Sequence, residues 1–386
     1  MNNEQPTQKN QAGPASYANC RAADNGDPCI GIVEVYLYSD VRFVDEVRDG
    51  LGPIALINPM RTDEGRVAPA IILRYGFHYL EEFPGDLSNR PDLSRFTGAS
   101  VFDEIACLLS LQYGARIVAG NITRSFDGRD PLGSPQVDTA PPNIYLSGRR
   151  PRTVLPWASE EKRLTAGLIP HLGRLRPTDA LALIRSARSY RDALWIADVD
   201  PQLAWLLLVS AVEVVAAHIA VPNEEDAEAR LRDAAPKLAE VLDSISPDAT
   251  GHAAPHLAHL FKSTARFLAF FKQFPPPPPE RRPPEGFRFR PWNESMKKAL
   301  AAVYDWRSKA LHAGVPFPPP MCQPPLHHHV NWEAPCETVP GLAAYVQGGV
   351  WTREQMPFGL HLFEYLARTS LLAWWHSLTK QEPHAI

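Results

Sequence analysis

In its C-terminal half the chain reads YDWRSKALHAG, Tyr304 to Gly314, and places Arg307 and His312 five positions apart. These residue types suit phosphate chemistry. A guanidinium holds a phosphate oxygen in a charge-assisted hydrogen bond, and an imidazole moves protons near neutral pH. Five residues turn an ideal helix by about 140°, so the two side chains cannot stack on each other as an i,i+4 pair would. They can meet only on a ligand, from two sides of a helix end. A phosphate held by Arg307 while His312 moves protons on the attacking or leaving oxygen is a workable arrangement for RNA cleavage. The plainer alternative is that both side chains merely satisfy the last carbonyls of the helix.

The flanking residues predict that helix end. From 293 to 311, Met296, Leu300, Val303 and Leu311 follow helical spacing, with Lys297, Lys298 and Arg307 facing elsewhere. Gly314 is a natural residue just past a helix, Pro316 stops the chain beyond it, and the negative end of the helix dipole favours a cation at His312. Between residues 281 and 312, eight cationic side chains face three acidic ones, an excess of five positive charges in a chain of net charge −4. The run GFRFRPW, Gly286 to Trp292, interleaves Arg288 and Arg290 with aromatics. That pattern fits a single-strand binding surface, to which Lys297 and Lys309 would add, or a loop packing its rings on a helical bundle.

A second residue with chemical potential lies upstream. The apolar stretch LAWLLLVSAVEVVAAHIAV, 203–221, has nearly the length of a membrane span but carries Glu213 at its middle, which predicts a buried helix instead. A buried carboxylate needs a partner, which a structural or a functional arginine would satisfy equally. Ser308 and His312 share a helix face, yet no GxSxG elbow accompanies them. His327, His328 and His329 with Cys322 and Cys336 match no standard metal spacing, and no cofactor is expected. His252, His256 and His259 straddle Pro255 and read as surface or capping residues, the first ahead of its helix.

The rest of the chain must position these groups. With 386 residues, 45% of them hydrophobic, it can bury more than one core, and its charge excludes a protein that coats nucleic acid over its whole surface. Five cysteines without a CxxC pair predict free thiols and a cytoplasmic setting. Residues 1–28 read as a polar disordered tail without an export signal. Residues 29–160 read as an α+β domain: GIVEVYLYS, PAIILRYGFHYL and ARIVAGNITRSF predict strands. Ser100 caps a helix over 101–113 that Gly114 ends. APPNIYLSGRRPRTVLP reads as a linker, and 165–386 as an all-α bundle with proline-rich surface loops at 274–292 and 315–340. Pro236 predicts a kink or break in a helix over 224–244.

RSKALH matches the R-x4-H motif of the HEPN superfamily. WRSKALHAG, taken with LLLVSAVEVVAAH, resembles the Apea-like HEPN group over about residues 176–386. The resemblance implies a helical-bundle, metal-independent endoribonuclease in which the ribose 2′-hydroxyl attacks the adjacent phosphate. It also implies a homodimer whose two motifs line one composite cleft, and a setting such as phage defence or a toxin system. By it, Arg307 would orient the phosphate, His312 would act as acid or base, and Glu213 would hold Arg307. Ser308 stands where many members carry Asn, Asp or His. Some members bind RNA, a nucleotide or a partner protein without cutting. The N-terminal domain would then serve as a contact for a regulatory partner.

Overall fold

The protein is described from a computed structural model over residues 13–60, 66–80, 92–93, 95–127, 130–136, 153–219, 227–326, 334–339, 343–346 and 349–380. Its packing divides the chain into two compact units, residues 1–207 with 372–386, and 208–371. The change from strand-rich to helix-rich texture near residue 160 falls inside the first unit.

That unit begins with α1 (Ala15–Asp24) and continues through β1 (Gly31–Ser39), β2 (Phe43–Val44), β3 (Val47–Leu51), β4 (Ile54–Ile57) and β5 (Ala68–Phe77). It goes on with α2 (Val101–Tyr113), β6 (Val118–Phe126), β7 (Ser134–Pro135), β8 (Lys162–Arg163) and α3 (Pro177–Ile196). Among the described residues, six strands form an antiparallel sheet in the order β3-β4-β5-β1-β6-β7. The central strand β1 pairs Val35 with Leu73 on one side and Ile122 on the other. Its alternation buries Val33, Val35 and Leu37, as a strand with one core face must. Helix α2 starts and stops where its local signals predict: Ser100 Oγ accepts from the Asp103 amide at 3.2 Å, and Gly114 closes the helix at φ +61°.

Residues 15–24, expected within a disordered tail, instead form α1. Tyr17, Ala18 and Cys20 are buried, and Asn19 donates to Gly76 O while accepting from the His78 and Tyr79 amides. Glu104 on α2 accepts from the Ser16 amide at 2.8 Å and from Thr97 Oγ1 at 2.6 Å, which satisfies a donor at the start of α1. These partners are distant in sequence, so a polar composition hides them. Of the expected linker, residues 140–152 lie outside the described ones, as do residues 1–12; Val154 and Leu155 are buried.

Helix α4 (Pro201–Ala216) carries the chain into the second unit. There α5 (Ala227–Ala234), α6 (Pro236–Ile245), α7 (Ala249–Gln273), α8 (Trp292–Ala313) and the hairpin β9 (Ala343–Val346) and β10 (Gly349–Thr352) follow, and α9 (Leu360–Thr379) begins in this unit and ends in the first. The C-terminal portion is therefore largely, not wholly, helical. Pro236 breaks the expected helix cleanly and opens α6, where its missing N–H costs nothing. Helix α7 starts at Ala249, ahead of His252, and runs through Pro255, placed in its second turn. His327 to His329 lie outside the described residues. All five cysteines are free, and no described helix is long and apolar enough to cross a membrane.

The first proline-rich loop is anchored rather than laid on the surface. Arg282 grips Glu337 through two bonds of 2.6 Å, Glu337 also accepts from the Phe289 amide, and the Arg282 guanidinium lies 5.1 Å from the Trp292 ring. Trp292 in turn donates to Pro276 O. In the second, Phe317 and Met321 are fully buried.

Candidate functional site

Glu213 and Arg307 meet. On α4, Glu213 is the one acid in an apolar run; on α8, Arg307 reaches it through Nη2, 2.6 Å from Oε2. The carboxylate's other oxygen, Oε1, accepts from the Tyr304 hydroxyl at 2.7 Å. Tyr304 and Arg307 stand three residues apart on α8, hence on one face, and the guanidinium lies 5.4 Å from the tyrosine ring. Burial first, and then the hydrogen bond to the Glu213 carboxylate, push the Tyr304 phenol up to about 12. It therefore stays protonated and donates at neutral pH.

Arg307 faces inward, contrary to its expected place on the outer face of the helix, because Glu213 draws it there. It is not saturated. Nη2 is bonded, while Nε is buried and makes no hydrogen bond among the described residues. An arginine has five N–H donors, so one carboxylate bond leaves most of them available.

The last turn of α8 turns outward. His312 is exposed, and Leu311, expected on the buried stripe, is 52% exposed because that stripe ends at Trp306. Gly314 closes the helix at φ +64°. Among the described residues no hydrogen bond joins Ser308 or His312 to the Glu213–Tyr304–Arg307 cluster. The structure thus brings together two of the four expected catalytic residues, Glu213 and Arg307, and sets Ser308 and His312 on the following turns of the same helix. Tyr304 was not expected. Its signal was present in the sequence, as a hydroxyl one helical turn before Arg307, but an aromatic at that spacing reads as core.

The expected RNA-binding side chains have local partners. Arg288 donates to Pro283 O, Arg290 pairs with Glu285, and Lys309 pairs with Asp305 at 2.7 Å with its ammonium 4.5 Å from the Trp306 ring. Lys297 is exposed. Phe289 of the GFRFRPW run is buried against Trp292 and Phe358, so its ring is core. Two cations of the basic window are neutralised from outside it, Arg282 by Glu337 and Arg307 by Glu213, which reduces the local excess from five to three.

In comparison with known proteins, no family model, no curated protein and no solved structure matches this chain.

Proposed function

We propose that the helical unit is an endoribonuclease of HEPN type that cuts single-stranded RNA by internal transfer. The ribose 2′-hydroxyl attacks the neighbouring phosphorus, the P–O5′ bond breaks, and the products carry a 2′,3′-cyclic phosphate and a 5′-hydroxyl. In this reaction Arg307 binds a non-bridging phosphate oxygen and offsets the charge that builds there. His312 moves the proton of the attacking or leaving oxygen. Glu213 and Tyr304 are positioning residues: one bond from Glu213 fixes the guanidinium, and Tyr304 fixes the carboxylate. The observation that carries the reading is the Glu213–Arg307 contact at 2.6 Å, between a glutamate and an R-x4-H arginine separated by 94 residues. A homodimer would place two such helix ends in one cleft.

The test compares a single-stranded RNA with the DNA of the same sequence, both in EDTA. The RNA is expected to be cut and the DNA to remain intact, since DNA lacks the attacking hydroxyl. Equal cutting of both would refute the internal-transfer reaction.

A second reading has an observation of its own. Because His312 is exposed and bonded to none of the cluster, the unit would bind RNA, a nucleotide or a partner protein without cutting it. Saturable binding of a single-stranded RNA, with no product after prolonged incubation, selects that reading.

A further inference from the structure

Glu213 and Arg307 together carry no net charge, so their contact alone gives little long-range attraction for a phosphate. The missing charge is available on α7. Arg266 stands one position before Phe267, whose ring lies 5.1 Å from that of Tyr304, and three after Ser263, which hydrogen-bonds the Tyr304 hydroxyl. This segment of α7 therefore packs against the tyrosine that Arg307 stacks on from α8. On an ideal helix, Arg266 lies about 80° from the line bisecting Ser263 and Phe267, at the flank of the contact rather than inside it.

Arg266 shares a second property with Arg307. In each, Nε is buried and makes no hydrogen bond among the described residues. Buried N–H groups in folded proteins are nearly always paired, and a guanidinium aims its donors in one rigid fork. Guanidinium groups on neighbouring helix segments, one of them beside Tyr304, suit a ligand that offers several acceptor oxygens. Arg266, moreover, has no carboxylate partner among the described residues, whereas Arg307 has Glu213.

We propose that Arg266 and Arg307 form a two-arginine phosphate site beside Tyr304, with Arg266 supplying its uncompensated charge. That the phosphate belongs to an RNA backbone rests on the ribonuclease reading above; the site itself requires only phosphate oxygens. Division of labour follows from the partners. Glu213 holds Arg307 to one geometry, suited to orienting a group, while Arg266, held by no carboxylate among the described residues, supplies the attracting charge. The protonated phenol of Tyr304 adds no negative charge to oppose the ligand.

The test uses the full chain and two probes, a 2′-O-methyl oligoribonucleotide, which cannot undergo internal transfer, and inorganic phosphate. Arg266→Ala is expected to weaken oligonucleotide binding at least about tenfold and to reduce the slope of log K against log salt by about 0.7, one phosphate contact on a single strand. Arg266→Lys, which keeps the charge, should retain the slope. Phosphate should raise the melting temperature of the wild type, and raise it less in Arg266→Ala, each measured against the same variant in phosphate-free buffer. Arg266→Ala behaving as wild type toward both probes would overturn the proposal, even if RNA is still cut. A phosphate effect that depends on Arg266, without oligonucleotide binding, would keep the site and defeat the ribonuclease reading. A wild type that binds neither probe overturns both.

Discussion

Arg116 in the first unit and Arg307 in the second are each held by carboxylates, but their donor accounts differ. Arg116 is 1% exposed and uses Nε for Leu194 O, Nη1 for Asp40 and Ser159, and Nη2 for Asp198 and Thr153. Arg307 is 20% exposed and, among the described residues, makes one bond, to Glu213, with Nε unpaired. The first guanidinium is consumed in tying the start of β6 and residues 153–159 to the end of α3. The second has donors to spare. Burial alone would rank Arg116 as the more important; counting donors separates an arginine that serves the fold from one available to a ligand.

Substitutions can break that contrast. Arg116→Ala leaves Asp40 and Asp198 without their cation, and is expected to cost about 3–5 kcal/mol of stability. Urea unfolding measures the loss, and the fraction that remains folded should bind RNA as the wild type does; unchanged stability would contradict the structural role. In Arg307→Ala, the partly exposed Glu213 keeps its Tyr304 bond, so the stability loss should stay near about 1–2 kcal/mol. RNA binding, read by anisotropy, should fall out of proportion to it. Tyr304→Phe removes one donor from Glu213 and should lower stability by about 1 kcal/mol. Its effect on cleavage should appear mainly in kcat, since a looser Arg307 still binds but orients poorly.

A third ionisable group, Glu104, sharpens the comparison by having no cation partner among the described residues. Burial raises the Glu104 carboxyl above its usual 4.5, against the pull of its bonds from Thr97 and Ser16. The folded state therefore holds this proton more tightly than the unfolded chain, and unfolding releases it. Glu104 thus favours the fold at low pH, and its contribution declines as pH rises from about 4.5 through the raised value. Glu104→Gln should flatten that limb of a stability–pH curve, the smallest effect of the four; an unaltered limb would mean that Glu104 does not titrate there.

What the sequence disclosed depended on how far each signal had to reach. Helix α2 was legible because Ser100, Asp103 and Gly114 act within its own turns. Glu213 was legible because a carboxylate in an apolar run demands a partner, though not which one. Helix α1 was hidden because Asn19 and Glu104 hold it through residues some 57 to 88 positions away. The charge excess over 281–312 misled for the same reason, since Glu213 and Glu337 neutralise it from outside the window. Tyr304 was overlooked because an aromatic at core spacing declares its ring and not its hydroxyl.

The central claim is that the end of α8 carries RNA chemistry, with Arg307 held from Glu213 and His312 moving the proton. Single-turnover cleavage of a single-stranded RNA in EDTA, with the product ends identified, tests it most directly. The wild type should leave 2′,3′-cyclic phosphate and 5′-hydroxyl ends. His312→Ala, an exposed change that should spare the fold, should slow cleavage by about 10²–10⁴-fold. Cleavage by His312→Ala at the wild-type rate, or products ending in 5′-phosphate, would contradict the account.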